Sequence, residues 1–263
     1  MNLEAQTKLA SPSQPPALSL VMPCYNEASH IEETIRKWHQ LLTEEVKDFE
    51  IIVLNDGSMD GCGRILDRIR TEMDHIRVIH QLRNRHGLTV RRGYELARGQ
   101  YILQVDPNGC YDPSDFLPFW NARSENELIV GKRTHRLDSF FSRFFSKVVR
   151  RGAILFFKCP LEEPYLSFRL ARKSALLPAL KQLPPDWEWV NLALTLMTHK
   201  AFPGRVRELP LPFRFRVSAT RRARGGWSLG KSLSAVWHIG ILRLKITRSG
   251  RRFTTRQTQS IHS

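Results

Sequence analysis

Short apolar runs alternate with segments of helical periodicity through the first half of this chain, and that alternation limits the folds open to it. Leu18 to Cys24, Phe49 to Leu54, Ile76 to His80, the run opening at Tyr101, and Glu127 to Val130 read as strands. Between them, Ile31, Ile35, Trp38, Leu42 and Val46 recur at helical spacing, entered through a Ser29/Glu32 capping box. Ile65, Leu66, Ile69 and Met73 do the same behind Asp60, the expected cap. A third helix is expected after the polar loop Arg83 to Gly87, ending at Gly99 as its C′ residue, and a fourth is capped by Asp112 and opened by Pro113. Strands and helices in turn, joined by short loops, imply an α/β, doubly wound, mostly parallel sheet with right-handed crossovers.

The second half is less regular. Phe140 to Phe157 mixes six phenylalanines with Arg143, Lys147, Arg150 and Arg151, which suits an amphipathic helix against lipid or a greasy groove, or equally a core helix with solvated cations. Tyr165 to Leu170 reads as a strand, Ser174 starts a short helix, and Trp187 to Lys200 forms a longer one. Arg205 to Phe215 is a further strand, and a last helix runs from Leu229 to Lys245.

The net charge of +16 is unevenly placed. From Gly131 onward there are 27 Lys/Arg against 6 Asp/Glu, which leaves residues 1–130 at −5, so a surface for anionic partners belongs to the second half. Phosphate groups, anionic lipid and nucleic acid all fit such a surface. The aromatic residues cluster as Phe pairs rather than as a platform between cations, so no nucleic-acid partner is expected. Cys24, Cys62, Cys110 and Cys159 form no Cys-x-x-Cys pair and suggest neither a zinc site nor a disulfide framework, in keeping with a reducing compartment. No stretch reaches the roughly 18 apolar residues of a membrane span. A cytoplasmic location is expected, with any membrane met at its surface or through an anchoring protein.

The stretch Tyr101-Ile-Leu-Gln-Val-Asp-Pro-Asn-Gly-Cys-Tyr-Asp-Pro113 carries the chemistry best. Side chains two apart in extended chain share a face, which turns Asp106 and Asn108 toward one hard cation, Mg²⁺ or Mn²⁺, at the carboxyl end of a strand. A strand followed by an ordinary turn is the plainer reading.

Further blocks accompany it: Pro23-Cys24-Tyr25-Asn26-Glu27, Asn55-Asp56-Gly57-Ser58 before Asp60-Gly61, and Asn84 with Gly87. In this order they resemble the inverting nucleotide-sugar glycosyltransferases. Gly131-Lys132-Arg133, Arg151-Gly152-Ala153, Ser167-Phe168-Arg169-Leu170 and Glu208-Leu209-Pro210 leading to Arg216 narrow the resemblance to the branch of dolichol-phosphate mannose synthase and its bacterial polyprenyl-phosphate relatives. The Ser, Pro and Gln content of residues 1–17 reads as a disordered tail rather than a signal peptide, and residues 227–263 read as a basic helix and tail. The resemblance implies a type A, Rossmann-like catalytic domain over residues 18–226. It also implies that Pro23, Tyr25, Glu27, Asp56 and Asp106 hold the nucleotide, that Asp106 and Asn108 hold the metal, and that Arg133 and Arg216 bind phosphate, with Asp106, Arg133 and Arg216 as the catalytic set. The expected partners are a nucleoside-diphosphate sugar, a polyprenyl phosphate and an anionic membrane surface.

Two departures from the family pattern bear on the site. Asn55 stands for the first acid of Asp-Asp-Gly-Ser and Asn108 for the second acid of Asp-x-Asp, which removes charge and weakens the expected metal affinity. A lipid phosphate is already ionised and needs no base, whereas a hydroxyl acceptor would need a carboxylate, for which Glu188 and Asp186 are nearest. The non-enzymatic alternative is a basic module that binds membrane or nucleic acid on a degenerate transferase core.

Overall fold

The computed structural model describes residues 15–134, 140–214 and 229–249. Strands β1 (Leu18–Cys24), β2 (Phe49–Asp56), β3 (Ile76–Gln81), β4 (Tyr101–Gln104), β5 (Leu128–Arg133), β6 (Arg169–Arg172) and β7 (Val206–Leu211) form one sheet in the order β3-β2-β1-β4-β6-β5-β7. The helices are α1 (Ile31–Glu45), α2 (Cys62–Glu72), α3 (His86–Leu96), α4 (Leu117–Asn121), α5 (Phe140–Phe157), α6 (Lys173–Lys181), α7 (Val190–Ala201) and α8 (Leu229–Ser249).

Among the described residues only β6 runs against its neighbours. It is antiparallel to both β4 and β5, and the two reversals bring β5, with its parallel partner β7, back into the direction of β1 to β4. Six carboxyl ends therefore share one rim, where open parallel sheets hold their ligands. The strand expected over Tyr165 to Leu170 begins only at Arg169, and the one expected to reach Phe215 ends at Leu211. In the first case, the chain before Arg169 is turned by Pro164 and held by a Leu166 N–H to Glu163 carbonyl bond, so it does not join the ladder.

Every residue of β1 and β2 is buried, as expected for strands covered on both faces. Pro23 is tolerated in β1 because the pairing with β4 ends at Val21, so its missing N–H breaks no ladder. In α1, Ile31, Ile35, Trp38 and Leu42 are fully buried, each contributing about 1.5–3 kcal/mol. Trp38 meets Phe116 edge-on at 5.9 Å.

Polar groups at the amino ends of the strands are satisfied. Ser19 donates to Glu50 (2.7 Å), whose carboxylate also takes Arg77 Nη1 (2.8 Å), Arg98 N–H (2.7 Å) and Arg98 Nε (3.0 Å). Gly99 completes this cluster rather than ending a helix: α3 stops at Leu96, and a Cβ on Gly99 would lie 2.5 Å from the Ser19 nitrogen. The Ser29/Glu32 capping box does not form either. His30 occupies the cap position without a side-chain bond, and Glu32 pairs instead with Arg36 and Arg68. Asp112 and Asp115 do form a reciprocal capping box around Pro113, opening a 3-10 turn that leads into α4.

Helix α8 packs on α5, with Ile239 3.3 Å from where a Cβ on Gly152 would sit. Among the described residues no helix is long and apolar enough to cross a membrane.

Candidate active site

The loops leaving β1 and β2 are sewn together at the rim. Asn26, in the left-handed region at φ 53°, accepts the Met59 N–H at 2.8 Å, while its own N–H donates to Ser58 Oγ at 3.0 Å. Asp60 accepts from Ala28 N–H (2.9 Å) and from Cys62 N–H (3.1 Å), serving the first turn of α2 from one residue outside its Gly61 cap. Beneath them the Cys24 and Cys62 sulfurs lie 3.1 Å apart, both as free thiols. Contact with Cys62, then burial, pushes the Cys24 thiol well above its ordinary range.

Asp56 is buried at the end of β2. Its Oδ1 accepts from Gln81 Nε2 (2.7 Å) and Asn84 N–H (2.9 Å), and its Oδ2 from Arg83 Nη1 (2.7 Å). The same Arg83 guanidinium covers the Tyr25 ring at 3.4 Å, so one side chain bridges two of the residues expected to hold a nucleotide. Glu27 contributes its carbonyl to the entry of α1, accepting from His30 and Ile31. Asn55 faces the other way. It donates to His80 Nδ1 (2.9 Å) and accepts Ser58 N–H (3.1 Å), and His80 Nε2 stands 3.1 Å from Asp67. The departure at position 55 thus sits against α2 and not beside Asp56.

Two residues past β4, Asp106 turns Oδ1 into a buried position where no donor among the described residues meets it. Among the described residues, His86 Nε2 stands 3.9 Å from it. A carboxyl oxygen left bare in this way fits a divalent cation, since burying a polar atom without a partner is costly. Asn108 behaves differently: its Oδ1 accepts the Cys110 N–H at 3.1 Å, an Asx turn within its own loop. Asp106 and, through the remaining lone pair of its amide oxygen, Asn108 are the residues that would hold such an ion.

Of the other nominated residues, those described lie as follows. Arg133, at the end of β5, is held by the buried Glu163 through Nη2 to Oε1 at 2.6 Å and through its own N–H at 2.8 Å. Glu163 and Glu162 in turn donate their N–H groups to Glu208, whose carboxyl is raised by burial. Asp186 and Glu188 are exposed in the segment before α7. The Glu188 carbonyl rests on the first turn of α3, 2.0 Å from where a Cβ on Gly87 would be, so only glycine fits there. Arg216 lies outside the described residues, as do Arg221, Arg222 and Arg224.

A layer below, Arg169 is fully buried. It donates to the carbonyls of Pro164 (3.0 Å), Leu166 (2.6 Å) and Asn191 (2.8 Å), and burial lowers it to about 10. Tyr94, Gln104 and Asn191 form a hydrogen-bonded triangle next to it: Tyr94 OH meets Gln104 (2.6 Å) and Asn191 (2.9 Å), and Asn191 donates to Gln104 at 2.8 Å. Sequence reading missed His86, Glu163 and this triangle. Only His86 carried a signal, by standing between Asn84 and Gly87.

The chain is 28% identical over 136 residues to an undecaprenyl-phosphate 4-deoxy-4-formamido-L-arabinose transferase of Pseudomonas fluorescens, covering 50% of this chain and 40% of that protein. It is 30% identical over 135 residues to a dolichyl-phosphate beta-glucosyltransferase of Dictyostelium discoideum, covering 46% of this chain and 41% of that one. The chain thus spans about two-fifths of the length of these curated relatives. Among solved structures, glucosyl-3-phosphoglycerate synthase from Mycobacterium tuberculosis, in complex with Mn²⁺, UDP-glucose and phosphoglyceric acid, superposes with a TM-score of 0.61 at 17% identity. That match covers 85% of this chain and 79% of the other, and it is a likeness of fold. The model of Glycosyl transferase family 2 matches residues 19–177, more than half of the chain, and to that family the chain belongs.

Proposed function

We propose that this protein transfers a sugar from a nucleoside-diphosphate sugar to a polyprenyl phosphate at the cytoplasmic surface of an anionic membrane, using Mg²⁺ or Mn²⁺. The observation that carries the reading is the bare, buried Oδ1 of Asp106 on the rim that also holds Tyr25, Asp56 and Arg133. When bound there, a divalent ion supplies positive charge where the departing diphosphate develops its own. Pro23, Tyr25, Glu27 and Asp56 shape the nucleotide side of the rim. Arg133 and Arg216 serve the phosphate side.

The outer face of α5 and α8 favours a lipid acceptor. On these helices Phe144, Ile154, Leu155, Trp237 and Leu244 are exposed, as are Lys147, Arg150, Arg151 and Lys245, with Lys158 just after α5. Neither helix contains an Asp or Glu. Apolar anchors among cations are suited to the headgroup region of an anionic bilayer.

A hydroxyl acceptor is the second reading, favoured by the exposed Glu188 whose backbone lies against the first turn of α3, next to His86. Incubating the purified chain with a panel of nucleotide sugars, Mg²⁺ or Mn²⁺ and a short polyprenyl phosphate, with mass spectrometry of the lipid, tests the main reading. Absence of a glycosylated lipid with every donor, while a hydroxyl acceptor is glycosylated, would establish the second.

A further inference from the structure

We infer that His86 supplies a ligand to the divalent ion and replaces the charged second position that the Asp-x-Asn pair lacks. The inference rests on the transferase reading above and adds to it the residue that completes the metal site. Three observations converge. Asp106 Oδ1 is buried without a donor among the described residues. Asn108, the expected second ligand, has its oxygen turned to the Cys110 N–H. His86 Nε2 faces Asp106 Oδ1 across 3.9 Å, too far for a hydrogen bond. Two ligands that each approach one ion to about 2.1 Å stand at most about 4.2 Å apart, so this gap admits a shared cation.

The placement of His86 is built in. Asn84, two residues earlier, is tied to Asp56 through its N–H, and Gly87, the next residue, is pressed against the Glu188 carbonyl. His86 is thereby presented at the start of α3 with a largely exposed ring, and the substituted pair does not leave Asp106 to hold the ion alone. A neutral imidazole beside a carboxylate also shifts the preference away from Mg²⁺, which favours oxygen, toward transition ions such as Mn²⁺.

Pulsed electron paramagnetic resonance on the full chain loaded with Mn²⁺, alone and with UDP or GDP, reads the ligand directly. A ¹⁴N coupling from a bound imidazole is expected in the wild type. It should vanish in His86→Gln, with Mn²⁺ affinity falling by more than about 10-fold, since even outer partners of metal ligands are worth about 10–100-fold. His86→Asp should lose the nitrogen signal yet recover affinity, which a purely structural role for His86 would not produce. Asn108→Asp should keep the signal. A wild type that binds Mn²⁺ without nitrogen coupling, or a His86→Gln variant that retains it, overturns the assignment; His86 would then be an ion-pair partner of Asp106. If Asp106→Ala leaves Mn²⁺ affinity unchanged, or the wild type binds no Mn²⁺, the metal-dependent reading of the site falls as well.

Discussion

Arg133 and Glu163 meet through a buried, multiply bonded pair, with the two side chains 14% and 1% exposed. Next to it, Lys132 and Glu162 make the same kind of pair with both side chains 43% exposed. Burial separates their worth. Removing one partner of a buried pair costs about 3–5 kcal/mol, whereas a surface pair is worth about 0–1 kcal/mol. Glu163→Gln is expected to lower the urea midpoint strongly and Glu162→Gln hardly at all. Equal effects would mean that Arg133 does not depend on Glu163 for its place in the fold.

Gly87→Ala places a methyl group where the Glu188 carbonyl now sits. The loop before α7 must move, and overpacking of this kind typically costs about 1–3 kcal/mol. Turnover should fall by about 10²-fold, because shifts near 1 Å at a reacting site cost that much. Comparing kcat with the thermal midpoint checks both halves.

Asp106→Ala is expected to abolish transfer while preserving the circular dichroism spectrum, since the side chain makes no hydrogen bond through Oδ1. Glu188→Gln separates the acceptors. With a lipid phosphate it should lower turnover only modestly; a loss of about 10²–10⁴-fold with normal donor binding would mark Glu188 as a general base for a hydroxyl.

Glu50 links stability to pH. Burial works to raise its carboxyl, but bonds from Ser19, Arg77 and Arg98 prevail and hold it below the ordinary carboxylate range. A depressed carboxyl stabilises the fold above the pKa of the unfolded chain, and that contribution is lost as pH falls through the folded value. Glu50→Gln should therefore be markedly less stable than wild type at pH 7, with the difference shrinking toward pH 3. Denaturant titrations at the two pH values measure it.

Leu155→Glu together with Trp237→Glu tests the lipid-facing reading of α5 and α8. Flotation of wild type with anionic vesicles at low salt should be lost in the double variant and should weaken with added salt, because screening shortens electrostatic reach. Both side chains are exposed, at 76% and 68%, so folding is expected to be unaffected.

The parallel half of the fold was readable because strands buried on both faces write themselves as unbroken apolar runs. Leu18–Cys24 is recovered residue for residue, and Ile31, Ile35, Trp38 and Leu42 all face the core. Boundaries failed where a side chain had a choice of partner. Glu32 had the spacing of a capping box but found two arginines, one of them on α2, and Gly99 had the spacing of a helix stop but was needed for close approach to Ser19. Asp56 and Asp106 were legible from their position after strands. That Asn108 would close an Asx turn on Cys110 was open to its local sequence but not chosen by it, and that His86 would stand across from Asp106 depended on a contact between segments twenty residues apart that no local pattern encodes.

Strand β6 has a mechanical consequence. Among the described residues, β3, β2, β1 and β4 form one part of the sheet, β5 and β7 the other, and the sheet joins them only through the four residues Arg169–Arg172. The first of those residues is bolted by its guanidinium to carbonyls before β6 and at the start of α7. Within the sheet, any closing of one half on the other must bend this short hinge or shear its ladder. The buried Arg169 makes it a stiff one, so the spacing between Asp106 and Arg133 across the rim is set by a residue hydrogen-bonded to neither.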